Sequence, residues 1–203
     1  MKKTLITTAV GLGAALLLSA CSTGSGGDMA GMPGHGGQAS STAPASSPAQ
    51  AGVGHNAADT MFAAMMIPHH SQALEMSGII LAKQGLPEDV TALARRIQKA
   101  QGPEIATLKS WLSDWGEKPA EHAGHSMDGM MSAEDLEQLK SAQGTAAAQL
   151  FLSQMIKHHE GALTMARTES REGKDVKAVE LSRKIVADQA AEIAEMKKLL
   201  ATL

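Results

Sequence analysis

One block of this chain occurs twice, and that duplication limits the fold more than any other feature. The first copy runs from Phe62 to Met76 and the second from Phe151 to Met165. Phe, Met, Ile, a His-His pair, Ala, Leu and Met recur in register at a constant offset of 89 (151 − 62, 158 − 69, 165 − 76). The stripe Phe62, Met66, His69, Ala73, Met76, Ile80 advances in steps of four and three, the period of an amphipathic helix. A second stripe, Leu93, Ile97, Gln101, Glu104, Leu108, Trp111, returns as Leu181, Ile185, Gln189, Glu192, Met196, Leu199 at an offset of 88 (181 − 93). One residue is lost in the connection that holds Gly85 in one half and Gly173 in the other. Each half is therefore one helical hairpin, and two hairpins make the domain.

The spacing predicts helices over 59–83, 88–114, 133–172 (with a break near Gly144) and 174–200. Asp59 is placed as the first N-cap, Gly85 as a stop and Pro87 in a first helical turn. Pro68 and the Gly102-Pro103 pair are expected to bend their helices. The 3-4 seams imply an all-α four-helix bundle, with the link from Gly116 to Met131 as a crossover or surface loop. Aromatic residues in the domain are confined to Phe62, Phe151, Trp111 and Trp115, so the core must be aliphatic and thioether-rich.

The first 20 residues read as a processing signal. Lys2 and Lys3 precede an apolar run, Leu5–Leu18, which is short for a membrane span. The run ends in Leu18-Ser19-Ala20-Cys21, which matches the bacterial lipobox and implies lipid attachment at Cys21, the sole cysteine. An ordinary secretory signal with a chance cysteine is the alternative. Residues 21–57, rich in Gly, Ser, Ala and Pro, read as a flexible linker, and 58–203 as the bundle. The expected location is the cell envelope, outside the cytoplasm and tethered to a membrane. Met29, Met32, His35 and His55 in the linker are either transient metal ligands or residues that a polar linker tolerates. With a net charge of −3 and no basic patch, nucleic acid is not an indicated partner.

Chemistry enters where polar residues fall on the apolar seams. His69, His158, Gln101, Glu104, Gln189 and Glu192 occupy stripe positions, and burying such groups unpaired is unfavourable. The economical arrangement brings His69 or His70 to Glu104, and His158 or His159 to Glu192. A carboxylate that receives an imidazole N–H leaves the other ring nitrogen free for a metal. Met66 and Met76, like Met155 and Met165, share a helix face with the histidines. Thioether and imidazole together favour copper, as Cu(I) or Cu(II), over hard cations. The link supplies further donors in His122, His125, Met127, Met130 and Met131. The plainer alternative is that the His–Glu pairs only specify packing and the methionines only fill gaps.

Other chemistries lack their signatures. A di-iron bundle needs Glu-x-x-His, which does not occur here. His-Glu-x-x-His is absent too, and no glycine loop for phosphate is evident. Nothing in the sequence requires an enzyme.

On these residues the chain resembles the domain-of-unknown-function 305 family. That family carries Phe-x3-Met-Ile-x-His-His-x2-Ala-x2-Met, here at 62–76 and 151–165. It also carries Ile-x3-Gln-x2-Glu-Ile-x2-Met, here at 97–108 (with Leu108 in the Met place) and 185–196. The resemblance covers about 59–203. It implies a ferritin-like four-helix bundle, export from bacteria and, in some members, copper binding linked to copper tolerance. The expectation is thus a lipid-anchored copper-binding protein that buffers copper or hands it to a partner. A metal-dependent redox enzyme and a metal-free structural envelope protein are the alternatives.

Overall fold

The computed structural model describes residues 54–118 and 127–203. Among these are five helices and no strand: α1 Ala57–Leu81, α2 Glu88–Trp115, α3 Ala133–Ser141, α4 Gly144–Glu172 and α5 Val176–Leu200. The four long helices form an all-α bundle. α1 packs along α2, α4 packs along α5, and α1 meets α4 in the middle, with the short α3 against both. The α1 and α4 axes run antiparallel. At the start of α1, Asn56 Nδ2 donates to the Glu172 carbonyl at 2.8 Å, and the Asp59 carboxylate accepts from the main-chain N–H groups of Lys174 and Asp175.

Local chemistry sets the boundaries. Asn56, not Asp59, is the N-cap of α1. Its side chain accepts from Ala58 N and Asp59 N, and Asp59 completes a capping box by accepting from Asn56 N at 2.6 Å. From the third helical position the Asp59 carboxylate also reaches the opposite hairpin. Pro87 stands as the N-cap of α2 instead of inside its first turn. That helix ends at Gly116 (φ 73°), a left-handed C-cap where a Cβ would be strained. α1 continues through Pro68 and α2 through Pro103.

The helix expected over 133–172 is two helices. Ser132 and Asp135 form a capping box that starts α3. The chain leaves the helix at Ala142, whose backbone is extended. Lys83 Nζ, from the end of α1, donates to the carbonyls of Lys140 and Ala142 at 2.7 Å each. That lysine supplies partners the α3 terminus lacks on its own.

Two apolar clusters fill the bundle. One gathers Phe62, Ala63, Met66 and Ile67 of α1 with Ile105, Leu108 and Leu112 of α2, Ala162 and Ala166 of α4, and Ile185 of α5. The other gathers Ala73, Met76 and Ile80 with Leu93 and Ile97, Phe151, Leu152 and Met155, and Ile193 and Met196. On α1, α2 and α5 the repeated polar positions separate the two clusters; on α4 Leu163 of the second cluster lies past the histidines, beside Ala162 of the first. No helix among the described residues is long and apolar enough to cross a membrane.

Candidate metal centre

The polar layer between the clusters takes two residues from each long helix: His69 and His70, Gln101 and Glu104, His158 and His159, Gln189 and Glu192. All four histidines are fully buried. The duplicated sequence places equal pairs on α1 and α4, and the antiparallel packing of those helices sets the pairs at one level.

Each hairpin joins one histidine to one glutamate. His70 Nε2 lies 2.9 Å from Glu104 Oε2, and His159 Nε2 lies 2.7 Å from Glu192 Oε2. A carboxylate only accepts, so in both pairs Nε2 carries the proton and donates. The tautomer is then set, and Nδ1 of a neutral ring keeps its lone pair. Neither His70 Nδ1 nor His159 Nδ1 has a hydrogen-bond partner, although both are buried.

The other two histidines meet each other. The rings of His69 and His158 are tilted by 39° with centroids 3.8 Å apart. None of their four ring nitrogens makes a hydrogen bond. The Asp128 main chain beside His69, and the His69 main chain beside His158, favour the charged rings but are outweighed by burial. Burial holds the His69 imidazole down at about 3, helped by the neighbouring His70 and His159. Burial likewise pushes His158 well below its ordinary value, reinforced by the other three rings. His70 is also lowered by burial, against the pull of Glu104. These three rings are neutral near pH 7 and so can act as donors to a cation.

Six orphaned imidazole nitrogens in one layer are costly, at about 1–3 kcal/mol for each unsatisfied buried polar atom. Their chemistry fits a borderline or soft cation. Glu104 and Glu192 are occupied by histidines, and Met66 and Met155 belong to the apolar clusters on opposite sides of the layer. Among the described residues no three His, Cys, Asp or Glu side chains stand together as a ready cluster. The His69–His158 pair is closed by ring contact.

The model of the domain of unknown function DUF305 matches residues 59–200. The chain belongs to the DUF305 family. A DUF305 protein of Streptomyces coelicolor, thought to be secreted, is 30% identical, with 71% of this chain and 91% of that one covered at a TM-score of 0.67. A DUF305 fragment from Deinococcus radiodurans is also 30% identical, covering 73% and 98% at a TM-score of 0.66. CopM in its Cu(I)-bound form is 31% identical, covering 71% and 96% at 0.61, and CopM structures bound to Cu(II) and to silver match as well. No curated protein matches the chain.

The remaining candidate residues of this DUF305 chain are spread through the bundle. Gln101 and Gln189 lie buried one turn before the glutamates. Both amide atoms of Gln101 and the Oε1 of Gln189 lack a partner. Met66, Met76 and Met155 are fully buried, whereas Met165 is half-buried, so its stripe is less apolar than the spacing suggests. Met131 is buried and packs in the second cluster; Met127 and Met130 are half-buried. His122, His125 and Cys21 lie outside the described residues. His55, which the sequence assigns to the linker, stacks on Trp115 with centroids 4.6 Å apart.

Sequence reasoning missed one polar contact. Glu169 is buried beside Asp59, and neither of its oxygens receives a hydrogen bond from another group. Burial, then the Asp59 carboxylate, pushes Glu169 up to about 8. Burial works against Asp59, but the contact with Glu169 and the N–H groups of Asn56, Asp175 and Lys174 prevail and hold it below its ordinary value. The pair shares one proton, carried by Glu169. Asp59 was legible only as a cap.

Proposed function

We propose that this protein binds copper outside the cytoplasm, held at a membrane by lipid on Cys21, and serves to buffer copper or pass it to a copper-handling partner. The observation that carries the reading is the buried layer of four histidines with six unpartnered ring nitrogens between two thioether-containing clusters. Neutral imidazole and thioether select Cu(I), Ag(I) and Cu(II) over hard cations. CopM, similar along most of its length, has been solved with copper and with silver. The S. coelicolor relative and the lipobox-like 18–21 segment support export.

In this reading His69, His70, His158 and His159 are the principal ligands, with Met66, Met76, Met155 and Met165 as thioether donors along the same stripes. Glu104 and Glu192 orient His70 and His159, and Gln101 and Gln189 supply polar neighbours one turn away. His122, His125, Met127, Met130 and Met131 form a second, capturing segment. Residues 1–20 are the signal and 21–57 the tether.

The closed His69–His158 contact favours one competing reading, in which the layer specifies packing and holds no metal. Metal analysis after incubation with Cu(I), Cu(II), Zn(II) and Fe(II) separates the two. Copper retained by the native chain and lost when the four histidines are changed to Ala supports the proposal. Equal copper retention in a folded quadruple variant moves the site to the 122–131 segment.

A further inference from the structure

The duplicated blocks differ at several positions, and at one of them both copies touch the same segment of chain. Gln72 and Gly161 are equivalent in the repeat (161 − 72 = 89), and each holds the same five-residue segment, 127–131. Gln72 grips it reciprocally. Met131 N donates to Gln72 Oε1 at 2.7 Å, and Gln72 Nε2 donates to the Met131 carbonyl at 2.9 Å. Gly161 seats it by having no side chain. A Cβ there would run into the Asp128 carbonyl and lie 2.9 Å from Gly129 Cα.

The segment is shaped for that seat. Met130 N donates to the Met127 carbonyl at 3.1 Å, closing a turn with Gly129 at φ 84°. A positive φ at the third turn position favours glycine. A Cβ on Gly129 would also lie 2.8 Å from the Lys157 carbonyl. Two glycines from distant parts of the chain thus bring main chain onto main chain, one turn beyond His158. The Asp128 main chain there lies beside His69.

We infer that the 127–131 turn is a docked strap across the His69–His158 pair, and that Gln72 and Gly161 are positioning residues that set how readily the layer exchanges with solvent. For a cation this means entry and release by displacement of the strap, a consequence that rests on the metal-binding reading above. The repeat explains the device. Two identical helix faces cannot both hold one asymmetric segment, so one face carries an amide that clasps the main chain and the other a gap that receives it. Gly78, another glycine within α1, has only Gln98 Nε2 at 3.9 Å from its Cβ position and no such role.

The test begins without metal. The full chain, free of copper, is treated with diethyl pyrocarbonate, and modification of His69 and His158 is followed by mass spectrometry. Modification is expected to be slow in the native protein and several-fold faster in Gln72→Ala and in Gly161→Ala, with Gly78→Ala matching the native rate. Equal rates in the native protein and folded Gln72→Ala overturn the strap, and this variant decides the matter if Gly161→Ala does not fold. A second arm loads Ag(I) and measures its extraction by an excess of chelator. Both strap variants should release it several-fold faster; release at the native rate counts against the strap. If the native chain takes up no Ag(I) or Cu(I), the metal reading fails while the modification arm still decides the strap.

Discussion

Glu104 and Glu192 occupy equivalent places in the two hairpins and each binds a histidine, but Glu104 shares its second oxygen with a lysine. Lys184 Nζ lies 3.2 Å from Glu104 Oε1 and 2.7 Å from Asp188 Oδ2. The residue equivalent to Lys184 is Arg96 (184 − 96 = 88), which pairs with Glu195 and not with Glu192. The reason lies one turn along each helix. α5 offers Asp188 and Glu195, where α2 has Ala100 and Thr107. A repeat in the polar layer is thereby made unequal by residues outside it.

Lys184→Met should release Glu104 from that cation. The carboxylate then pulls harder on the His70 proton and makes Nδ1 a better donor, so copper affinity should rise by a few-fold. Lys184 is more than half exposed, and its ion pairs contribute at most about 1 kcal/mol to stability. A competition titration with Cu(I) reads the affinity. A weaker-binding variant would contradict the role given to Glu104.

Glu104→Gln combined with Glu192→Gln keeps the shape of the layer but removes its charge assistance. Loss of such support costs roughly 10–100-fold in metal affinity. If the layer only specifies packing, neutralising the buried Glu104 and the half-buried Glu192 should leave copper binding alone and raise the melting temperature of the metal-free protein. Affinity and melting temperature, measured on the same double variant, separate the two accounts.

Much of this was legible before the fold was known, for a physical reason. A helix face is a local pattern, so Phe62 to Ile80 and Phe151 to Met165 announce their periodicity, and a polar residue on that face must find a partner across the bundle. The His70–Glu104 and His159–Glu192 contacts follow from that alone, although the sequence could not say which histidine of each pair turns to the glutamate. What stayed hidden depends on contacts with no local signature. Gly161 reads as an ordinary helical glycine until Asp128 is seen to lie on it. The end of α3 depends on Lys83, which lies just past the end of α1 and more than 50 residues away. Asp59 looked like a cap because the true cap, Asn56, lay in a stretch that composition assigned to the linker.

The buried imidazoles make stability fall with acid. His69 drops to about 3 in the folded chain and His158 also lies well below 6.5. Above pH 6.5 both rings are neutral folded or unfolded, and the pair contributes nothing to the pH dependence. Below it the unfolded chain takes up protons that the folded chain resists, so stability is lost progressively from pH 6.5 toward 3. The slope is up to about 1.4 kcal/mol per pH unit for each ring. Urea unfolding of the metal-free protein at pH 7 and pH 5 should show the loss, and His69→Gln with His158→Gln should shrink it. An unchanged slope in that variant would assign the acid sensitivity elsewhere.

Glu169 should act in the opposite direction. Its carboxyl is raised from 4.5 to about 8 in the fold. The folded chain therefore holds a proton that the unfolded chain has already released, and its stabilising contribution, complete below pH 4.5, is lost as pH rises to about 8. Asp59 does not offset this, because its lowered value confines its own pH dependence to more acidic conditions. Structurally, deprotonation sets two carboxylates against each other where α1 meets the α4–α5 turn, beneath the N–H groups of Lys174 and Asp175. Glu169→Gln substitutes an amide N–H for the shared proton. The variant should match the native protein near pH 5 and unfold at higher denaturant than the native protein at pH 9. The native stability should fall over that interval by up to about 1.4 kcal/mol per pH unit where the two states differ by a full proton. Parallel pH profiles for the two proteins would show that Glu169 and Asp59 do not share a proton.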